Sequence, residues 1–181
     1  MNTVSASTTP DAPSNIILLG LPGAGKSTVG ARLAQHLNRP FLDTDRLIEA
    51  HTGCLLQQIV DTEGALQLRA IEAQIVSGLM VRDAVIATGG SVVYSDPAMR
   101  HLAAIGRLVY LRAREATIYE RIGDYSQRGI ARLPGQSIAS VIEERLPLYA
   151  HHAEIVIDVD DLDETAVVEA CLAALAASGS R

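Results

Sequence analysis

Residues 15–27 read Asn15-Ile16-Ile17-Leu18-Leu19-Gly20-Leu21-Pro22-Gly23-Ala24-Gly25-Lys26-Ser27. The run from Asn15 to Leu19 is short, mainly apolar and ends at a glycine, the pattern of a strand buried on both faces. From Gly20 the chain matches G-x-x-x-x-G-K-[ST] at every fixed position, and helical periodicity follows from Lys26 to about His36. Glycines let the backbone curl with its N–H groups pointing inward, and the helix N-terminus adds positive potential there. Gly23, Ala24, Gly25, Lys26, Ser27 and Thr28 are therefore the expected contacts to a nucleotide's phosphates. Lys26 would reach the β and γ phosphates and Ser27 would offer its hydroxyl to Mg²⁺. Lys26 is the only lysine in the chain.

Outward from this loop, apolar strand-like runs alternate with helical ones. Strands are predicted at 40–45, 84–88, 107–111 and 155–158. Helices are predicted over roughly 46–50, 55–60, 64–81, 97–104, 115–122, 138–149 and 163–176. Strands separated by helices imply crossover connections and a parallel sheet covered on both faces. The expected fold is α/β: a three-layer sandwich on a five-stranded parallel sheet, with one domain over 15–177. Residues 1–14, rich in Ser, Thr, Pro and Ala, are expected to be a disordered tail. Residues 123–137 are polar, punctuated by Gly123, Gly129 and Gly135, and too long for an ordinary connection; loops of that size act as lids.

The acidic balance, a net charge of −6, argues against a nucleic-acid partner, whose phosphates dominate affinity. No apolar stretch is long enough to span a membrane, and the N-terminus lacks a secretory leader's basic and apolar regions. Cys54 and Cys171 make no disulfide framework and read as free thiols of a reducing cytoplasm. The side chains of adjacent His151 and His152 diverge on a helix, so they read as surface residues rather than metal ligands.

The phosphate loop alone leaves switches, motors and small-molecule kinases open. A guanine-specific switch needs a second lysine in its N-K-x-D signature, which this chain lacks. A motor carries acidic residues at the end of the third strand, where this chain has Thr88-Gly89-Gly90-Ser91. A Gly-Gly strand end lets the backbone approach a ligand closely. A short chain with a lid suits a kinase, because water competes for the phosphoryl group.

Further motifs narrow the class. Phe41-Leu42-Asp43-Thr44-Asp45 is similar to the F-x-D-x-D segment of shikimate kinases. Gly64 with Leu68-Arg69-Ala70-Ile71-Glu72 is similar to their G-E-x-x-F-R-x-x-E segment. Thr88-Gly89-Gly90-Ser91 resembles their Gly-Gly-Gly turn, Arg128 falls at the arginine of their R-P-L-L lid, and Glu144-Arg145-Leu146-Pro147-Leu148-Tyr149 matches E-R-x-P-L-Y. These motifs run in the family's order from about 15 to 158. The resemblance implies a P-loop NTPase fold of the nucleoside-monophosphate-kinase type, with a substrate-binding region at about 43–82 and a lid at about 123–137. It implies ATP and Mg²⁺, phosphorylation of shikimate in aromatic amino-acid biosynthesis, and a cytoplasmic monomer acting on a small molecule. Asp45 would hold the acceptor's hydroxyls and act as base, with Asp43 near Mg²⁺. Arg69 and Arg145 would grip the acceptor carboxylate, with Gly89 and Gly90 making backbone contacts. Arg128 would swing toward the phosphates and Arg121 would lie over the adenine.

Each residue also has a plainer reading. Asp43 or Asp45 at a strand end can simply cap the next helix. Arg69 with Glu72 three residues on can form a surface ion pair. Arg128 and Arg145 can be solvated charges, Arg132 rivals Arg128 on the lid, and Tyr149 reads as packing. The chain departs from the family's pattern at Ser91, Leu68, Ala65 and Gly129-Ile130-Ala131, mostly beside the acceptor or on the lid. A kinase for a different polyol or hydroxy acid, and a weakly catalytic nucleotide-binding module, therefore remain as alternatives.

Overall fold

The computed structural model describes residues 14–122 and 130–178. Five strands form one parallel sheet: β1 (Asn15–Leu19), β2 (Phe41–Asp43), β3 (Val85–Ala87), β4 (Gly106–Arg112) and β5 (Ile155–Asp158), in the order β2-β3-β1-β4-β5. Eight helices accompany them among the described residues: α1 (Lys26–Leu37), α2 (Thr44–Thr52), α3 (Leu56–Glu63), α4 (Ala65–Ser77), α5 (Asp96–Ile105), α6 (Glu115–Ile122), α7 (Ile138–His152) and α8 (Glu164–Ser178). A single 3₁₀ turn spans Val92–Tyr94. None of these helices is long and apolar enough to cross a membrane.

The strand order follows from patterning. β1 is buried along its whole length, and an apolar run of that kind belongs at the centre, between β3 (Ile17 opposite Ile86) and β4 (Ile17 opposite Leu108). β5 alternates buried and exposed residues and closes one edge. The chain steps outward from β1 to β2, then back through β3 and across to β4 and β5. Right-handed crossovers consequently place α1 and α8 together on one face and α4, α5 and α7 on the other. The crevice where this direction reverses lies beyond the C-terminal ends of β1 and β3, the usual ligand position in such sheets.

Asn15 ties the opposite ends of the strands together. Its side-chain amide donates to the carbonyls of Val81 (2.8 Å) and Ile105 (2.9 Å) and accepts from the Ala84 N–H (3.0 Å). A polar residue at the floor of the core is fully satisfied in this way. Beneath α2, α3 and α4 lies a second, smaller apolar cluster of Ile48, Ile59, Ala65, Leu68 and Ala131.

Several boundaries differ from the sequence-based reading. The strand expected over 40–45 stops at Asp43, because the Asp43 carboxylate accepts the N–H groups of Asp45 (3.0 Å) and Arg46 (3.5 Å) and starts α2 at Thr44. The helix expected over 64–81 stops at Ser77, where the Gly78 N–H closes on the last carbonyls. α7 continues through Pro147 to His152. Ser14, expected in the tail, is held at both ends: its carbonyl accepts from Arg39 (2.9 Å) and its hydroxyl from the Asp83 N–H (3.0 Å). Residues 1–13 lie outside the described residues.

Candidate active site

Beyond β1 the chain passes through the phosphate loop into α1. Gly25 is the residue before the helix and has φ +93°, a left-handed conformation that disfavours a side chain. No side chain caps α1. The N–H groups of Lys26, Ser27 and Thr28 in its first turn have no helical carbonyl to reach, and the helix dipole points its positive end at the same place.

Lys26 is buried, and its Nζ donates to the carbonyls of Gly20 (2.7 Å) and Leu21 (2.9 Å). Burial lowers its pKa to about 8, against the opposing pull of Asp45, Asp43 and Glu72. The Ser27 hydroxyl donates to Asp43 Oδ2 at 2.7 Å, while Asp43 Oδ1 caps α2. The capping reading of Asp43 is therefore seen at Oδ1, while Oδ2 faces the Ser27 hydroxyl. A hydroxyl and a carboxylate in contact beside a phosphate loop are the hard oxygen donors that Mg²⁺ takes, with phosphate and water completing the octahedron. No cluster of three His, Cys, Asp or Glu side chains exists among the described residues, so a metal caged entirely by the protein is not built here.

Asp45 follows on the first turn of α2, half-buried; burial lifts its pKa to about 6 and Lys26 pulls it back. Across from it runs the turn after β3. The Gly89 N–H donates to Thr44 Oγ1 (2.8 Å). A Cβ at Gly89 would collide with Glu72 Oε1 and lie 2.6 Å from Asp45 Oδ1, so any side chain there would have to displace both carboxylates. The Gly90 carbonyl accepts the Tyr149 hydroxyl at 2.5 Å, and Tyr149 also stacks on Tyr110 at 5.3 Å between ring centroids. Tyr149 thus does more than pack: it holds the glycine turn, and its burial keeps the phenol protonated by raising its pKa.

Arg69 on α4 and Arg145 on α7 converge. Arg69 Nη2 and Arg145 Nη2 both donate to the Ala131 carbonyl, at 3.1 and 2.9 Å. Tyr94 lies against both guanidiniums, at 3.8 Å from Arg69 and 5.3 Å from Arg145, and its hydroxyl accepts from Arg145 Nε at 3.3 Å. Arg145 is only 1% exposed, and neither arginine forms an ion pair among the described residues. Two cations without a carboxylate partner are a ready anion site.

Phosphate loop, Asp45, the glycine turn and Arg145 line one cleft of about 670 Å³. Its far end is formed by Arg121, Val159, Leu162 and Asp163; the Arg121 guanidinium donates to the Val159 carbonyl at 2.8 Å. Arg132 is exposed and donates to the Gln136 carbonyl at 3.3 Å. Arg128 and the rest of 123–129 lie outside the described residues. Ile130 and Ala131, which follow directly, are buried, so this end of the expected lid has apolar anchors that its composition did not suggest.

Glu72 corrects the ion-pair reading. It is 2% exposed and accepts a short hydrogen bond from Ser91, with no bond to Arg69. Its signal was present in the sequence: Ala65, Leu68, Glu72 and Val76 form the buried stripe of α4, and a carboxylate in such a stripe needs a reason. Tyr94 carried no comparable signal.

The family model for shikimate kinase matches residues 22–176. A shikimate kinase of Dechloromonas aromatica is 38% identical over 165 residues, 90% of each chain, and one of Chromobacterium violaceum is 38% identical over 80% of each. Among solved structures, the shikimate kinase of Acinetobacter baumannii in complex with shikimate superposes with a TM-score of 0.85 at 29% identity, covering 94% of this chain and 97% of that one. The Aquifex aeolicus enzyme gives 0.78 at 28%, covering 92% and 98%. With the family model matched over residues 22–176 and relatives matched over 80–90% of their own length, this chain is a member of the shikimate kinase family.

Proposed function

We infer that this chain is an ATP-dependent kinase that phosphorylates shikimate at its 3-hydroxyl. The observation that carries the acceptor reading is the convergence of Arg69 and Arg145 on the Ala131 carbonyl, neither in an ion pair among the described residues, with Arg145 and Asp45 lining the same cleft as the phosphate loop. A molecule with a carboxylate at one end and hydroxyls at the other spans that arrangement. The printed ligand of the Acinetobacter baumannii enzyme, shikimate, has this form.

In this reading, ATP's phosphates lie on the N–H groups of the loop and of the first turn of α1. Lys26 leaves the carbonyls of Gly20 and Leu21 and follows the γ-phosphate. Mg²⁺ at Ser27 and Asp43 would neutralise charge on the β and γ oxygens. Arg69 and Arg145 bind the acceptor carboxylate bidentately, which fixes the ring and presents one hydroxyl in line with the γ-phosphorus. As the acceptor oxygen bonds to phosphorus, the bond from phosphorus to the β–γ bridging oxygen breaks, and the hydroxyl proton passes to Asp45. An Asp45 pKa near 6 suits it to accept and later release that proton close to neutrality.

Arg121 is assigned to the adenine end, where it lines the cleft with Val159 and Leu162. Residues 123–137 are assigned as the lid and Arg128 as the cation it delivers. We take the active species to be a cytoplasmic monomer, the state that the resemblance to the family implies. An ADP-release assay with shikimate, quinate and common sugar acids tests the acceptor. Fast shikimate-dependent release is expected. Turnover only on another hydroxy acid would move the acceptor and keep the kinase, a reading favoured by the Ser91 hydroxyl on Glu72; acceptor-independent behaviour would reduce the chain to a nucleotide-binding module.

A further inference from the structure

The parallel ladder between β2 and β3 ends at the pair Asp43 and Ala87. In such a ladder every second N–H of a strand donates to the same neighbour. At β3 the Val85 N–H donates to the Pro40 carbonyl at 2.9 Å, so steps of two bring the Gly89 N–H level with residue 44. Thr44 has by then turned into α2, and its side-chain Oγ1 takes the Gly89 N–H instead, at 2.8 Å. Side chains on a helix lean toward its N-terminus, so a hydroxyl on the first residue of α2 falls back toward the end of β2. This hydroxyl is not a helix cap: Asp43 holds that position and accepts the N–H groups of Asp45 and Arg46. Nor is it solvated, since Thr44 is fully buried. Among the described residues it makes the hydrogen bond that joins α2 to the turn after β3.

We propose that Thr44 is a positioning residue for phosphoryl transfer: its hydroxyl adds a side-chain rung to the sheet, and that rung sets Asp45, the next residue, against the glycine turn and the phosphate loop. The inference rests on the kinase reading above. Asp45 Oδ1 would lie 2.6 Å from a Cβ at Gly89, so consecutive residues of α2 meet the same glycine, one through its hydroxyl and one through its carboxylate. Gly90 packs in turn on the phosphate loop, where a Cβ would come within 2.9 Å of Pro22. Other walls hold the rest of the turn. The Thr88 N–H and hydroxyl both donate to the Leu18 carbonyl of β1, and the Gly90 carbonyl accepts from Tyr149 of α7. Thr44 supplies the tie from the wall that carries Asp45. Its bond also occupies the Gly89 N–H. The Gly90 N–H, without a partner among the described residues, is left as the donor that the turn offers a ligand. Misplacing a reacting group by about 1 Å can cost about 10²-fold in rate, so a rung of this kind acts on turnover more than on nucleotide binding.

Steady-state kinetics with shikimate, following kcat, KM for shikimate and KM for ATP, test the assignment. Thr44→Val keeps the shape of the side chain and removes the acceptor for the Gly89 N–H. Its kcat is expected to fall roughly tenfold, with ATP KM within about twofold of the parent. Thr44→Ser, which keeps a hydroxyl, is expected to recover most of that loss. Thr44→Ala is expected to match valine, and it supplies the comparison with serine should the valine variant not fold. In an Asp45→Asn background, Thr44→Val is expected to add little, because the residue it places no longer takes the proton. Unchanged kcat in both Thr44→Val and Thr44→Ala, even with a lowered melting temperature, would overturn the proposal. So would a serine variant no better than alanine, or an equal further loss on top of Asp45→Asn. Each of these leaves the kinase reading intact. A parent enzyme without acceptor-dependent ADP release would overturn both.

Discussion

The two halves of the cleft are made of different materials. The nucleotide half is backbone: a glycine loop, the free N–H groups that open α1, and one lysine folded onto loop carbonyls. The half proposed for the acceptor is side chains drawn from separate elements: Asp45 from α2, Glu72 from α4, Ser91 from the turn after β3 and Arg145 from α7 line the cleft, with Arg69 of α4 and Tyr94 packed against Arg145. Backbone recognition needs only a short contiguous motif and accepts any triphosphate. Side-chain recognition needs tertiary structure to assemble it, and each member can change the acceptor alone. Substrate choice can therefore drift in such a fold without touching phosphate binding.

The largest expected effect tests the backbone half. Lys26→Met removes the side-chain cation of the phosphate loop and is expected to lower kcat by about 10³-fold or more, as loss of a preorganised charge does. Stability goes the other way. The folded pKa of Lys26 lies near 8, below its ordinary 10.5, so the unfolded chain binds more protons between those values and stability rises with pH across that window. Thermal melts of Lys26→Met at pH 8 and pH 10 are expected to lack that rise; turnover near that of the parent would break the kinase assignment.

At the proposed lid, Arg128→Ala is expected to reduce kcat by roughly 10²-fold with little change in ATP binding. The same loss in Arg132→Ala instead would move the catalytic arginine four residues along.

The side-chain half is sharpened by Arg69→Ala and Arg145→Ala. Each removes a charge-assisted contact of roughly 1.5–3 kcal/mol, so the shikimate KM is expected to rise about ten- to a hundredfold with ATP KM nearly constant. Collapse of ATP binding with an unchanged acceptor KM would erase the distinction between the halves.

The smallest expected effect concerns stability and Glu72. Burial lifts its folded pKa from 4.5 to about 7, so the folded chain binds the extra proton between those values. Stability from this group is therefore lost as pH rises from about 4.5 to 7. Glu72→Gln is expected to flatten that decline, by of order 2 kcal/mol, in urea unfolding at pH 5 and pH 7.5. Parallel curves for the two proteins would show that the carboxyl is not penalised by its surroundings.

The same division explains what could be read from the sequence. The phosphate loop is contiguous, and each fixed position has one physical reason, so strand, turn and helix followed from thirteen residues. The parallel sheet also followed, because strands alternating with helices imply crossover connections, but the order of its strands came only with the structure. The acceptor half was legible only through resemblance, since nothing local says that residues 69 and 145 meet over the ring of Tyr94. The alternative of an Arg69–Glu72 ion pair, which the i,i+3 spacing allowed, is not what the structure has: Arg69 lies over the Tyr94 ring and Glu72 accepts from Ser91. The end of the strand at Asp43 was misplaced because a capping carboxylate and a strand-end carboxylate look alike until the N–H groups they accept are seen.

The chain contains one lysine, and its ε-amine is held near neutral pKa within an open cleft. Around pH 8, then, an amine-directed acylating reagent meets a single side-chain amine in this protein, with the exposed Cys54 thiol as a side-chain competitor. Stoichiometric labelling read by intact mass, and its suppression by bound ATP, would count competent molecules in a preparation without any knowledge of the acceptor.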